Sequence, residues 1–99
     1  MNVISKHGLV KLLKGKSKDV QSEVFAWYRI ARKTDWGSLA DVRSHFPDAD
    51  LVGELLVFNI RQNRYRLVVL PVFPRGRLYV KALLGHKEYD REAWKTQWP

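Results

Sequence analysis

The sequence predicts an α+β domain in which N-terminal helices pack on one face of a small, mainly antiparallel sheet and a short C-terminal helix follows. Two observations support this fold class. Apolar residues recur at helical spacing in the first half of the chain, and residues 56–82 contain segments that alternate as strands do. Short loops separate these later segments, and consecutive strands joined by short loops are antiparallel. The 99 residues are therefore expected to form one domain, residues 1–99.

The N-terminal part is predicted to contain a short edge strand at residues 2–4 and then two helices. Ser5 is the predicted N-cap of the first helix, which ends near Gly15. The second helix begins after Ser17. Its buried face is formed by residues at spacings of four, three and four, namely Val20, Val24, Trp27 and Ala31.

A third, short helix is bounded by a capping box and a proline. Ser38 is followed three residues later by Asp41, which takes the place of the usual glutamate. Pro47 ends this helix, because a proline disfavours helical backbone at the residue before it. Residues 47–50 are predicted to form a turn that leads into the sheet.

Three consecutive strands are predicted at residues 57–60, 64–67 and 77–81. Hairpins at Gln62-Asn63 and at Pro74-Arg75-Gly76 connect them, the second because Gly76 can adopt positive φ. Side chains two residues apart share a face of a strand, so one face of the sheet is a core. The predicted core face contains Leu56, Phe58, Ile60, Tyr65, Leu67, Val69, Leu78, Val80 and Ala82.

The opposite face of the predicted sheet is polar and cationic, and is expected to be free for a ligand. It contains Asn59, Arg61, Arg64, Arg66, Arg77, Tyr79 and Lys81. No acidic residue occurs between Arg61 and Lys87. This face is either an ordinary solvated surface or a surface for an anionic ligand. The second interpretation is favoured because an uncompensated cationic surface repels itself.

An imidazole and a phenol follow the last predicted strand. His86 precedes a closing helix that is predicted to run from Glu88 to Gln97, and Tyr89 lies in the first turn of that helix. Asp90 is expected to favour the N-terminus of that helix. Cations that hold a phosphate, together with groups that transfer protons, are what metal-free cleavage of RNA requires.

Charge and composition limit the classes of partner and site. The net charge of +8 and the pI near 10.1 predict a polyanionic partner, such as nucleic acid or the ribosome, or an acidic protein. The chain has no cysteine, and its three histidines are not at metal-ligand spacing, so neither a metal nor a cofactor is expected. The longest apolar run, residues 67–73, is short and contains Pro71, so we expect a cytoplasmic protein without a membrane partner.

Segments along nearly the whole chain resemble the HigB toxins of bacterial type II toxin–antitoxin systems, which belong to the RelE/ParE-like superfamily. The sheet and tail carry the resemblance in Val57-Phe58-Asn59-Ile60, Asn63-Arg64-Tyr65-Arg66-Leu67-Val68-Val69 and Gly85-His86-Lys87-Glu88-Tyr89-Asp90. The family's helix and turn segments are similar to Ala26-Trp27-Tyr28, Ala40-Asp41-Val42 and Phe46-Pro47-Asp48-Ala49-Asp50.

The resemblance implies a RelE-like fold and an mRNA interferase, an endoribonuclease that cleaves messenger RNA, usually on the translating ribosome. It also implies neutralisation by a HigA-type helix-turn-helix antitoxin, in a toxin–antitoxin hetero-oligomer. Two features depart from the family pattern. Lys81 stands where arginine is common, which would weaken bidentate phosphate contact. The Trp-rich tail at residues 93–99 matches no part of that pattern.

The residues predicted to act on RNA fall into two groups. The catalytic candidates are His86, Tyr89, Arg66 and Lys81, and the RNA-binding candidates are Arg61, Arg64, Arg77, Tyr79, Asn59 and Lys87. Histidine suits proton transfer because the ordinary pKa of imidazole is about 6.5. Tyr89 is expected to orient the substrate, stack on a base or donate a second proton. Arg64 and Arg66 would clamp the phosphate, while Lys81 either adds charge or serves as the base.

Two other functions remain open from the sequence. A non-catalytic inhibitor that binds a protein target, as the ParE branch does with DNA gyrase, needs no proton-transfer group. A plain RNA-binding module needs more stacking aromatics than Tyr79 on the outward sheet face. The presence of His86 and Tyr89 beside strand cations therefore favours cleavage.

Overall fold

The computed structural model describes residues 1–4, 6–62 and 64–91. Its helices are α1 (Lys6–Leu13), α2 (Lys18–Lys33), α3 (Leu39–His45) and α4 (His86–Asp90). Its strands are β1 (Asn2–Ile4), β2 (Asp50–Val52), β3 (Leu55–Ile60), β4 (Tyr65–Val72) and β5 (Arg77–Gly85), with a 3₁₀ turn at Phe73–Arg75. The predicted cap Ser5, the connector residue Asn63 and the predicted closing helix and tail beyond residue 91 lie outside the described residues.

The five strands form one sheet in the order β1-β5-β4-β3-β2. Neighbouring strands are antiparallel except for β1, which pairs in parallel with β5 and places Val3 opposite Leu78. A parallel pair needs a long connection, and here nearly the whole chain connects the two strands. The predicted α+β class with a mainly antiparallel sheet is confirmed.

One strand was not predicted from the sequence. β2 pairs with β3 through Asp50 opposite Val57 and Val52 opposite Leu55. Gly53 makes the tight turn between them with a φ of 61°, a left-handed conformation that glycine adopts without strain. A strand of three residues is too short for alternation to be visible, and its first residue was assigned to the preceding turn.

α2 and α3 begin after the serine caps that the sequence predicts, whereas α4 begins at His86 rather than at Glu88. Ser17 Oγ accepts a hydrogen bond from the Val20 amide at 3.4 Å, and Ser38 Oγ accepts one from the Asp41 amide at 3.3 Å. The Asp41 carboxylate accepts from the Gly37 amide at 2.8 Å. All of the predicted core residues of α2 are buried, namely Val20, Val24, Trp27 and Ala31. No helix of the described part of the chain has the length and apolar character needed to cross a membrane.

An aromatic cluster fastens the helices to the sheet. The Phe58 ring of β3 packs edge-on against Trp27 at 5.3 Å and Phe46 at 5.4 Å between centroids, and stacks on Trp36 at 6.3 Å. Trp36 Nε1–H donates to His45 Nδ1 at 3.2 Å, which ties the end of α3 to the loop before it. Each buried ring contributes about 1.5–3 kcal/mol, so this cluster fixes α2 and α3 over β3.

A β-bulge in β5 changes which residues face the helices. Val68 pairs with Ala82 but Val69 pairs with Val80, which leaves Lys81 as the extra residue. Alternation shifts by one residue at this point. The prediction that Ala82 shares the main core face with Val80 is therefore wrong, and Leu83 occupies the core position instead.

The sheet face opposite the main core is apolar at its centre. A second cluster is buried there, formed by Leu55, Val57, Val68 and Ala82. Partly buried side chains pack against it, namely Val52, Leu70, Leu84 and Tyr89. The expectation of a continuous polar face that is free for a ligand is corrected, because the polar residues flank an apolar centre. The unbroken apolar run Leu55-Leu56-Val57-Phe58 was the signal, since strands buried on both faces read this way.

Replacing Phe58 tests the aromatic cluster. Phe58→Ala should lower the free energy of unfolding by about 3–5 kcal/mol, because it leaves a cavity among three large rings. Leu51→Ala is the matched control, and should change the free energy by less than about 0.5 kcal/mol because Leu51 is exposed. Urea denaturation measures both values. A loss below about 1 kcal/mol for Phe58→Ala would contradict the role assigned to the cluster.

Candidate functional site

An open cleft of about 600 Å³ lies at one end of the sheet. Three connections meet there: the loop between α1 and α2, the turn between β3 and β4, and the junction of β5 with α4. The basic side chains and the imidazole that line it are Lys16, Arg61, Arg64, His86 and Lys87. Asp19 and Glu88 also line it. The structure thus brings together four of the residues predicted to act on RNA, and adds Lys16.

His86 is fixed at the rim of the cleft by two contacts. Its backbone amide donates to the Arg64 carbonyl at 3.0 Å, and its Nε2 lies 3.1 Å from Asp90 Oδ2. Both side chains are about 60% exposed, so this pair is reached by solvent. Asp90 is the last residue of α4, and Glu88 occupies the first turn, where its carboxylate accepts from the Gly85 amide at 3.2 Å. The expected role of Asp90 at the helix N-terminus is therefore wrong, and it contacts His86 instead.

The turn after β3 has a strained backbone. Arg61 and Gln62 have φ values of 51° and 61°, a left-handed conformation that costs about 1–3 kcal/mol for each residue other than glycine. α2 stabilises this turn, because Glu23 Oε2 accepts a hydrogen bond from the Arg61 amide at 2.9 Å. Asp19 Oδ2 lies 3.9 Å from the Arg61 guanidinium. The turn leads directly to Arg64, whose carbonyl holds the start of α4.

Lys16 was not predicted as a site residue. It follows Gly15, which ends the α1 region with a φ of 80°, and its ammonium lies 5.8 Å from the centroid of the Tyr65 ring. The side chain is half-buried at the cleft, where Tyr65 also forms part of the wall. A lysine beside a glycine in a loop does not by itself indicate a functional site. Only the structure shows that Lys16 lies at the cleft.

Arg66 and Tyr89 meet outside the cleft, where Tyr89 packs against the second apolar cluster. The Arg66 guanidinium lies 5.0 Å from the centroid of the Tyr89 ring, a cation–π contact. Arg66 is opposite Asn59 on β3 and opposite Leu84 on β5. Neither Arg66 nor Tyr89 lines the cleft that contains His86. The predicted catalytic set is therefore divided, because His86 lines the cleft and Arg66 and Tyr89 do not, although His86 and Tyr89 are only three residues apart in α4.

The remaining predicted residues lie farther along β5. The Lys81 ammonium is 5.8 Å from the Tyr79 ring centroid, at the bulge. At about 3.3 Å per residue, Lys81 lies roughly 15 Å from His86 along the strand, and Tyr79 and Arg77 lie roughly 20–30 Å away. Arg77 pairs with Asn2 and Val72 at the far end of the sheet. Arg77 and Tyr79 therefore lie away from the cleft, and their contact with RNA stays a prediction.

The cleft can bind an anion and exchange a proton with it. Exposed Arg64 and Lys87 present donors to a phosphate, and the imidazole of His86 lies beside them. Within residues 1–4, 6–62 and 64–91, no three histidine or carboxylate side chains are grouped so as to hold a metal ion.

Comparison with known proteins identifies similar sequences. The family model of the HigB toxin, described as the RelE-like toxic component of a toxin–antitoxin system, matches residues 20–92. The mRNA interferase HigB of Escherichia coli O6:H1 is 26% identical over 94 residues, which cover 92% of this chain and 90% of that protein. The matched range of the family model contains every site residue predicted from the sequence, whereas Lys16 lies outside it.

Removing the Glu23 carboxylate tests how the strained turn is held. Glu23→Ala should lower the free energy of unfolding by about 1 kcal/mol, since hydrogen bonds to charged groups contribute about 1.5–3 kcal/mol and this one is exposed. Hydrogen exchange of the His86 backbone amide should become faster, because this amide donates to the carbonyl of Arg64, which follows the turn. Gln62→Gly in the same background should recover most of the loss, since glycine adopts the left-handed conformation without strain.

Urea denaturation and hydrogen exchange measure these effects. Asp48→Ala, which removes an exposed carboxylate from the turn before β2, is the control and should leave the His86 amide unchanged. If Gln62→Gly gave no recovery, the carboxylate would not be compensating for the strain in the turn.

Proposed function

Because the chain belongs to the HigB family, the RelE-like toxic components of toxin–antitoxin systems, we propose that it is an endoribonuclease that cleaves messenger RNA. The name of the E. coli relative, mRNA interferase HigB, supports this activity. One structural observation carries the proposal: the His86 imidazole, 3.1 Å from Asp90, stands at the rim of a cleft lined by basic side chains. An inhibitor that acts by binding alone has no use for such a pair.

The proposed reaction uses the 2′-hydroxyl of the RNA as the nucleophile. A base on the protein removes the proton of this hydroxyl, and the 2′-oxygen forms a bond to the adjacent phosphorus. The bond between phosphorus and the 5′-oxygen breaks, and an acid on the protein returns a proton to that oxygen. The products are a 2′,3′-cyclic phosphate and a free 5′-hydroxyl.

His86 is proposed to transfer one of the two protons. Its Nε2 contacts the Asp90 carboxylate, which leaves Nδ1 to exchange a proton with the RNA. Asp90 acts as a positioning residue, because a carboxylate on one ring nitrogen fixes the tautomer and the orientation of the imidazole. The hydrogen bond from the His86 amide to the Arg64 carbonyl fixes the backbone of the same residue.

The basic side chains are proposed to hold the RNA backbone and to stabilise the charge that develops on the phosphate. Arg64 and Lys87 are exposed at the cleft and suit this role. Arg61 contributes less, because Asp19 lies 3.9 Å from its guanidinium and offsets part of its charge. Lys16 adds a cation on the opposite wall.

Arg66 and Tyr89 are proposed to act together on the side of α4 that faces the sheet. The guanidinium is held at 5.0 Å from the ring, so a phosphate bound by Arg66 would lie beside the Tyr89 hydroxyl. This arrangement supports Tyr89 as a second proton donor or as an orienting group. Lys81 and Arg77 lie farther along β5 and are proposed to supply charge to a neighbouring part of the RNA. Asn59 and Tyr79 are neutral and are proposed to contact the RNA by hydrogen bonding and stacking.

The family membership implies an antitoxin partner. We propose that this antitoxin is of the HigA type, with a helix-turn-helix domain, and that it forms a hetero-oligomer with the toxin. Messenger RNA on the translating ribosome is the proposed substrate. The net charge of +8 suits messenger RNA and the ribosome, both of which are polyanions.

Expression without an antitoxin tests the activity. Growth should stop, and messenger RNAs should be cut to fragments that end in a 2′,3′-cyclic phosphate or a 3′-phosphate. Mapping of the 5′ and 3′ ends of cellular RNA measures this outcome. Growth arrest with intact messenger RNA and trapped DNA gyrase complexes would instead support an inhibitor of the ParE kind.

Replacing His86 separates chemistry from binding. His86→Ala should slow cleavage by about 10²–10⁴-fold, the usual contribution of a general acid or base, while affinity for RNA stays nearly unchanged. Asp90→Asn should give a smaller loss in the same direction, since it keeps the shape but not the charge. Single-turnover cleavage and equilibrium RNA binding measure the two effects.

His7→Ala is the matched control, because His7 is exposed on α1 and does not line the cleft. This variant should cleave like the original chain. Full cleavage by His86→Ala would remove His86 from the site and leave Tyr89 and Lys81 as the candidates for proton transfer.

A further inference from the structure

The positive charge of the chain is concentrated in its first 34 residues, which contain α1 and α2. Residues 1–34 contain eight lysines and arginines against two acidic residues, a net charge of +6. The other 65 residues contain ten basic and eight acidic residues, a net charge of +2. Both acidic residues of the first group, Asp19 and Glu23, contact Arg61 at the cleft. The cleft is lined by four basic and two acidic residues, so it accounts for +2 of the net charge.

A groove between α1 and α2 presents much of this charge. Two adjoining hollows of about 280 Å³ and 340 Å³ share Gln21 and Phe25 and form what we name the α1–α2 groove. The basic residues that line it are Lys11, Lys14, Lys18 and Arg29. None of the residues that line it within the described helices is acidic.

The floor of the α1–α2 groove is apolar. Val10, Leu13 and Phe25 line it, and Val10 is 49% exposed. Val10 is one of three large hydrophobic side chains that the described part of the chain leaves exposed. An exposed aliphatic side chain does not strengthen binding to a phosphate backbone. Its burial against an apolar side chain of a partner does strengthen binding.

We propose that the α1–α2 groove binds a helix of the antitoxin that is apolar on one face and acidic on the flanks of that face. The apolar face would cover Val10 and Phe25, and the acidic flanks would lie against the lysines of α1 and Arg29 of α2. The proposal rests on the family membership, which implies an antitoxin, and is independent of RNA cleavage. The groove is formed by the outer surfaces of the two helices and shares no lining residue with the His86 cleft.

A synthetic helical peptide tests the chemistry of the groove. The peptide carries leucines on one face and glutamates on both flanks, and a scrambled peptide of the same composition is its control. Fluorescence anisotropy with the full chain should show binding of the ordered peptide at least about tenfold tighter than of the scrambled one, a difference of about 1.4 kcal/mol. Added salt should weaken it. Equal binding of the two peptides would overturn the proposal.

Variants of the groove locate the binding. Lys11→Glu combined with Arg29→Glu should weaken binding of the ordered peptide by at least about tenfold, because it replaces two attractions by repulsions. Val10→Asp should weaken it as well, and Val10 is exposed enough for the fold to tolerate the change. Arg75→Glu, a charge reversal of an exposed arginine outside the groove, should have an effect within about twofold.

The antitoxin and an RNA distinguish the natural occupant. In the complex with a HigA-type antitoxin, Lys11 and Lys14 should be protected from acetylation relative to Lys87, the control lysine at the cleft. A twelve-residue uridine oligonucleotide should bind the Lys11→Glu, Arg29→Glu variant nearly as well as the original chain. If the oligonucleotide lost affinity and the peptide did not, the groove would be an RNA surface and the proposal would fail.

Discussion

The packing of Phe58 beneath Trp27, Trp36 and Phe46 is the interaction on which the rest of this structure depends. It fixes α2 over β3, and β3 ends two residues later at the strained turn. Because α2 is held there, Glu23 can reach the Arg61 amide. The turn then places the Arg64 carbonyl against the His86 amide. A hydrophobic contact in the core thus sets the position of an exposed imidazole through a continuous series of bonded elements.

The sequence predicted the parts of the fold that arise from local rules. Val20, Val24, Trp27 and Ala31 are buried because their spacing matches one face of a helix, and Ser17 and Ser38 cap helices because their hydroxyls reach nearby amides. β2 was not predicted because a strand of three residues is too short to show the alternation of apolar and polar residues. Ala82 was assigned to the wrong face, because a bulge changes the alternation and depends on pairing with β4 rather than on the sequence of β5 itself.

The candidate site was predicted less completely, because proximity within a sheet depends on register. His86, Arg64 and Lys87 are close in the structure because the end of β5 lies beside the start of β4. Tyr79 and Arg77 belong to the same sheet but do not line the cleft, because most of the length of β5 lies between them and His86. The contact of Asp90 with His86 was overlooked although the two are four residues apart, since the expected helix began at Glu88 rather than at His86.

The bulge at Lys81 makes this position the one place in β5 where chain length can change without exchanging the two faces of the sheet. Val80 faces the main core and Ala82 the second cluster, so these two residues would alternate normally if Lys81 were absent. Loss of any other single residue between Leu78 and Leu84 would turn part of the strand over. Insertions and deletions among related chains should therefore be tolerated at Lys81 before they are tolerated elsewhere in this strand. A chain that lacks Lys81 would keep the position of His86 at the end of β5.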